Sequence, residues 1–143
     1  MLISHEREKL LNAIIFFAKN SSYLGKIKLW KLLYFLDFEH FKETGRSVTG
    51  MRYNAWPMGP VPVSLHNEVE APGADMAEKI RFGSKVVNGS NSMLTVTPLT
   101  EFDVDFIVYS IPRLRVFKKS TRFSPLPDPY NAVFAFAPGF FLM

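Results

Sequence analysis

The chain has 143 residues, of which 48% are hydrophobic and 21% charged, and its net charge is +4. This length and composition are typical of one globular domain with a real core and exclude a disordered chain. Cysteine is absent, which excludes disulfides, thiolate zinc sites and cysteine nucleophiles. We find no secretory signal pattern and no apolar stretch near the roughly 20 residues that a bilayer requires, so we expect a cytoplasmic protein with no membrane partner.

The first predicted element is an amphipathic helix. Ser4 is a suitable N-cap, and Glu6 and Glu8 place negative charge in the first turn, where the helix dipole favours it. Apolar residues then recur at helical spacing until Asn20. We therefore predict a helix from Ser4 to about Asn20 with one buried face.

A second predicted helix begins near Lys26 and ends at Gly45, a residue suited to a left-handed C-terminal cap. Its apolar residues surround the helix instead of forming one stripe, which indicates burial on more than one side. We interpret the segment from Leu29 to Phe41 as core and this helix as the central one.

The residues after Gly45 change to an alternating pattern. A short strand is predicted from Val48 to Ala55, and the prolines and glycine that follow end it. Pro62 is suited to the first turn of a short helix that runs to about Ala71.

Two later runs favour β-structure, from Lys79 to Val87 and from Met93 to Thr97, and residues 88–92 join them as a hairpin loop. Together these elements predict an α+β fold, a mostly helical single domain with a small antiparallel sheet or hairpin. Beyond it the chain contains several prolines and then an almost wholly apolar tail, residues 130–143.

Asp37 and His40 lie three positions apart on the second helix, where an acid beside an imidazole could orient a base. The favoured interpretation is a polar strip that hydrogen-bonds the following turn. No nucleophile elbow, metal-ligand spacing or phosphate-binding glycine motif accompanies the pair. We expect no catalytic residues, no metal and no cofactor.

A basic cluster lies in the last third of the chain. Arg113 and Arg115 alternate with apolar residues and precede Phe117, so cations could contact phosphates while the ring stacks on a base. A solvated basic face beside a core strip explains the pattern at least as well. Nucleic-acid binding is therefore possible but is the less favoured hypothesis.

Aromatic side chains and rigid prolines come together in one turn. The residues are Tyr53, Trp56, Pro57, Met58 and Pro60. Aromatic rings offer a large contact area with little conformational freedom to lose, which makes this turn a candidate partner-binding surface. Alternatively, Tyr53 and Trp56 fill the core beneath the turn.

An ordered series of residues in this region resembles the Panacea-domain signature. Its members are Lys31, Leu32, Leu33, Tyr34, Phe35, Asp37, Phe38, His40, Gly45, Arg46, Thr49, Gly50, Tyr53, Ala55, Trp56, Pro57, Gly59, Pro60, Val61 and Pro62. The resemblance is strongest over residues 28–70. It implies a Panacea-like domain over residues 1–100, whereas residues 101–143 form a divergent C-terminal segment.

Panacea domains occur in bacterial and phage-associated proteins, typically as the antitoxin half of a two-gene toxin-antitoxin system. The resemblance therefore implies a binding protein, not an enzyme, that neutralises a cognate toxin by direct protein-protein binding. One branch of the family instead acts as a proteolytic adaptor that delivers its toxin to a protease. An alternative from another class is a small DNA-binding transcriptional regulator, in which a helix and a hairpin act like a winged helix.

Overall fold

The computed structural model describes residues 5–21, 24–87, 89, 91–106 and 111. In chain order its elements are α1 Glu6–Asn20, α2 Lys26–Thr44, β1 Asn54–Trp56, β2 Gly59–Val61, α3 Val63–Glu68, α4 Ala74–Lys79, β3 Ile80–Val87 and β4 Asn91–Pro98. Two separate two-stranded antiparallel sheets, β1 with β2 and β3 with β4, accompany the helices. The predicted α+β class is confirmed.

The hydrophobic core is built mainly by α1 and α2. Along α1, every residue from Leu10 to Phe17 is buried, because this stretch faces α2 on one side and β4 on another. The core is completed by single residues from later parts of the chain, namely Val48, Val61, Leu65, Val69, Met76, Ile80 and Ile111.

The helix ends show how local chemistry fixes α1 and α2. α1 has His5 at its N-cap position, one residue later than the predicted cap Ser4, which lies outside the described residues. α2 ends as predicted at Gly45, whose φ of 74° is left-handed and whose N–H donates to the Phe41 carbonyl oxygen. The core interpretation of α2 needs a correction, because Phe41 is 56% exposed and Lys31, Tyr34 and Phe38 are only partly buried.

The predicted strand from Val48 to Ala55 is largely wrong. Residues 48–53 form no strand; their backbone is turned by Gly50, at a φ of 68°, and the Val48 and Thr49 N–H groups donate to the Asp37 side chain. The prolines end β1 as expected, but the chain then returns as β2. Because β1 pairs Asn54 with Val61 and Trp56 with Gly59, the two strands make a short hairpin.

The region after this hairpin contains two short helices where one was predicted. α3 has Pro62 at its N-cap position and ends at Glu68, before the predicted end at Ala71. α4, at residues 74–79, was not predicted, since six residues give too short a periodic pattern. The predicted β3–β4 hairpin is confirmed, with strand pairing that extends to Val87 and Asn91.

Polar contacts tie α1 to distant parts of the chain. Arg7 donates from Nε to Asp75 Oδ2 at 2.8 Å and from Nη1 to Glu68 Oε2 at 2.8 Å, so one guanidinium joins α1 to α3 and α4. Asn12, which is buried, accepts a hydrogen bond from the Asp103 N–H at 2.9 Å. Asp103 in turn accepts from the Phe106 N–H, as an N-cap does, and residues 104–106 are helical.

Candidate interaction surface

The β1–β2 hairpin collects all five candidate residues of the aromatic turn. Trp56 and Gly59 are paired, so Pro57 and Met58 form the turn between the strands. The Trp56 side chain is 42% exposed and that of Met58 is 52% exposed. We refer to Tyr53, Trp56, Pro57, Met58 and Pro60 as the hairpin surface.

Tyr53 anchors the base of the hairpin instead of projecting from it. Its hydroxyl donates to Asp37 Oδ2 on α2 at 2.6 Å, and its ring packs edge-on against Tyr34, with ring centroids 5.2 Å apart. Burial raises the pKa of Tyr53 far above its usual range, and the neighbouring Asp37 charge raises it further. The phenol therefore stays protonated and continues to donate its hydrogen bond.

Trp56 lies on top of an aromatic stack. Its ring centroid is 5.1 Å from that of His66 on α3, and His66 lies 6.3 Å from Trp30 on α2, both in edge-on geometry. Trp30 is buried, whereas Trp56 reaches solvent. Nδ1 of His66 is buried and has no hydrogen-bond partner in the described part of the chain. The stack therefore holds the exposed indole in place by contact with the core.

Asp37 and His40 both hold the turn that follows α2. Asp37 Oδ1 accepts from the Val48 and Thr49 N–H groups, each at 2.8 Å, and Oδ2 accepts from the Thr49 hydroxyl as well as from Tyr53. The His40 ring donates through Nδ1 to the Arg46 carbonyl oxygen at 2.6 Å. The favoured interpretation of this pair, a polar strip bonded to the next turn, is confirmed.

A partly exposed line of side chains on α2 was missed in the sequence. Between residues 27 and 38 every residue is buried except Ile27, Lys31, Tyr34 and Phe38, and exposed Phe41 continues the line. We call these five residues the α2 seam. Tyr34 and Phe38 stack with ring centroids 5.9 Å apart. The spacing of these residues in the sequence, at intervals of four, three, four and three, indicates one face of a helix. The face was not recognised because the other sides of α2 are also apolar.

Three further sequence predictions concern a nucleic-acid surface, a metal site and a membrane span. Arg113, Arg115 and Phe117 lie outside the described residues, so the nucleic-acid hypothesis built on them stays a prediction. Over the described ranges, no three His, Asp or Glu side chains come together in a way that could hold a metal ion. None of the described helices is long and apolar enough to cross a membrane.

Comparison with known proteins finds one family model that matches the part of the chain containing the hairpin surface. The sequence model of the family described as antitoxin SocA-like, Panacea domain matches residues 29–106. No curated protein and no solved structure matches the chain. The matched residues are more than half of the chain and include the hairpin surface and nearly all of the α2 seam. This protein therefore belongs to the antitoxin SocA-like Panacea-domain family.

Proposed function

We propose that this protein is the antitoxin of a bacterial toxin-antitoxin pair and that it neutralises its cognate toxin in the cytoplasm by binding it through the hairpin surface. Membership of an antitoxin-like family supports the general role. The observation that supports the binding surface is the exposure of Trp56 and Met58 at the tip of an anchored turn.

The hairpin surface is suited to binding because its shape is set before a partner arrives. Tyr53 is hydrogen-bonded to α2, and Trp56 packs on His66. Pro57 within the turn and Pro60 on β2 restrict the backbone. Little conformational entropy is then lost on association. Tryptophan is among the residues that most often dominate binding energy, since its large ring excludes water when it enters a pocket.

The test is neutralisation of the protein encoded by the adjacent gene. Trp56→Ala combined with Met58→Ala should abolish growth rescue in co-expression and weaken the purified complex at least a hundredfold, because two hot-spot side chains of about 2 kcal/mol each would be lost. Affinity is measured by calorimetry, and circular dichroism verifies that the variant is folded.

Val86→Ala provides the matched control, since Val86 is exposed on the β3–β4 hairpin. It should rescue growth like the unmodified chain. Equal rescue by the Trp56 and Met58 double variant would exclude the hairpin surface as the binding site. A harmless neighbour, or one that never co-purifies with this chain, would exclude the proposed function itself.

The same experiment separates masking from proteolytic delivery. An antitoxin that masks its toxin leaves the cellular amount of toxin unchanged or increased, because the complex protects it. An adaptor lowers that amount while growth is restored. Immunoblots of the toxin during rescue distinguish the two, and we expect the toxin to persist.

A further inference from the structure

One face of the β3–β4 hairpin carries two cations among hydroxyl groups. Because side chains alternate along a strand, Arg81, Gly83 and Lys85 of β3 lie on the same face. The register of the hairpin places their partners on β4 opposite them, and these are Thr97, Thr95 and Met93. We call Arg81, Gly83, Lys85, Thr95 and Thr97 the basic face.

The exposed side chains of the basic face are available to a partner. Arg81, Lys85 and Thr97 are all exposed. None of the three forms an ion pair or a side-chain hydrogen bond with any other residue that the structure describes. The basic face can therefore contact an external anion without first breaking a contact among those residues.

Carboxylates close to the hairpin in the chain do not cancel its charge. Residues 79–100 contain neither aspartate nor glutamate, and Lys79 adds a third cation directly before β3. The nearest carboxylates along the chain are Glu78 and Glu101, and Glu101 is paired with Lys19. The three cations of this segment are thus accompanied by one further carboxylate, that of Glu78.

Gly83 keeps the middle of the basic face low. A Cβ at this position would lie 3.0 Å from Oγ1 of Thr95, so any side chain would press against that hydroxyl. Glycine inside a strand weakens the strand and often marks a place where a ligand approaches the backbone closely. The backbone between Arg81 and Lys85 is therefore open to approach.

A cavity adjoins the basic face at the end of α1. Lys85, Thr95 and Ser21 contribute to its lining, and its volume is about 220 Å³. The hydroxyl oxygen of Ser21 is buried and has no hydrogen-bond partner in the described part of the chain. The other lining residues are apolar and include Leu24 and Met93. A phosphate oxygen that accepts a hydrogen bond from Ser21 would satisfy this hydroxyl, and the apolar walls suit the carbon atoms of a sugar.

The composition of the basic face favours a phosphate backbone over an acidic protein. Arginine, lysine and threonine side chains are among those that contact phosphate oxygens in protein–DNA complexes. Protein partners are anchored mainly by aromatic and apolar side chains, and the exposed members of the basic face include none. Met93, at its border, is partly buried and packs beside Gly25, where a Cβ would lie 3.4 Å from Sδ.

The geometry of the basic face favours a duplex over a single strand. Single strands are bound largely by stacking of bases on aromatic rings, and the basic face has no aromatic ring. The major groove accepts a two-stranded β-ribbon and is about 12 Å wide. Arg81 and Lys85 are four residues apart on one strand, which is about 13 Å. Their cations can therefore reach phosphates on both sides of the groove.

We propose that the basic face of the β3–β4 hairpin binds the phosphate backbone of duplex DNA across the major groove, with Ser21 and Thr95 beside one phosphate. This function is additional to toxin binding, because it uses neither Trp56 nor Met58 of the hairpin surface. The net charge of +4 would draw the protein toward DNA before these contacts form.

The test measures binding of the full chain to a short fluorescein-labelled DNA duplex by fluorescence anisotropy between about 50 and 200 mM salt. Arg81→Gln combined with Lys85→Gln should weaken binding at least tenfold at low salt. It should also reduce the slope of log affinity against log salt concentration by about 2, because each lost phosphate contact removes about 0.9. Ser21→Ala should weaken binding without changing the slope, because a hydroxyl carries no charge.

Arg46→Gln combined with Arg52→Gln is the matched control, because it removes the same net charge from two other exposed arginines. It should leave the slope unchanged, and circular dichroism verifies that every variant is folded. An equal loss of slope in the control would mean that net charge alone attracts DNA, and it would overturn the inference.

Three competitors identify the anion that the basic face prefers. Unlabelled duplex should displace the labelled duplex at a lower concentration than single-stranded DNA or polyglutamate. Stronger competition by either of the other two overturns the inference, as does binding that does not weaken with salt. Toxin neutralisation by the Arg81 and Lys85 double variant should be unchanged. Its loss would assign the basic face to the toxin, which overturns this inference and leaves toxin neutralisation standing.

Discussion

At the scale of single residues, Asp37 decides the shape of the hairpin region. Its carboxylate accepts four hydrogen bonds, two from backbone N–H groups and two from hydroxyls, and it is buried. A buried carboxylate is tolerated when donors surround it in this way. It fastens the turn after α2 and, through Tyr53, the base of β1.

Asp37→Asn should lower the free energy of unfolding by about 2–3 kcal/mol. The amide would turn an N–H₂ group toward hydroxyl donors, and the remaining hydrogen bonds would lose the negative charge that strengthens them. Urea denaturation measures the change. Tyr53→Phe removes one of the four bonds and should cost about 1 kcal/mol. If Asp37→Asn unfolds at the same urea concentration as the unmodified chain, the carboxylate does not hold the turn.

At the scale of elements, α2 ends where Gly45 adopts a left-handed backbone conformation. Gly45 has a φ of 74°, and nothing lies within 4 Å of the position that a Cβ would occupy. Gly45→Ala should therefore destabilise the protein by about 1 kcal/mol through backbone strain, with no steric clash.

Gly45→Asn is the informative comparison, because asparagine tolerates the left-handed region better than alanine. It should retain more of the stability in the same urea titration, with an unchanged denaturant slope. A loss as large for asparagine as for alanine would mean that something other than the φ angle is responsible.

Elements specified by local chemistry could be predicted from the sequence, and those specified by distant contacts could not. α2 and the β3–β4 hairpin were predicted because their periodicity and their glycine or turn signals lie within the element. Residues 48–53 alternate like a strand, but Asp37, more than ten positions away, takes the backbone donors that a strand would need. The exposure of Trp56 was left open because it depends on His66, which lies on a different element, α3.

At the scale of the whole molecule, the ion pairs of Arg7 with Glu68 and Asp75 make the free energy of unfolding depend on pH. Arg7 donates to both carboxylates and thereby lowers the pKa of Asp75 to about 2 and holds the pKa of Glu68 below its usual value. Folded pKa values below the unfolded ones mean that the stabilisation is complete above about pH 4.5 and is lost as the pH falls toward 2.

Arg7→Gln should cost about 1 kcal/mol near neutral pH, a modest value because the three side chains are partly solvated. The difference in unfolding free energy between the variant and the unmodified chain should shrink steadily below pH 4.5. Arg81→Gln, at an exposed arginine of β3, should show no such convergence. A difference that stays constant down to pH 2 would show that the guanidinium acts by packing and not by charge.

The polar contacts of α1 also constrain the order in which the protein can assemble during synthesis. Arg7 is separated by 61 and 68 residues from Glu68 and Asp75, and Asn12 by 91 residues from Asp103. α1 must therefore wait until these later residues have been synthesised before the contacts form. During that interval its apolar face is available to chaperones or to other nascent chains. The fold is thus completed late in synthesis, which makes the speed of translation part of how quickly the folded protein becomes available.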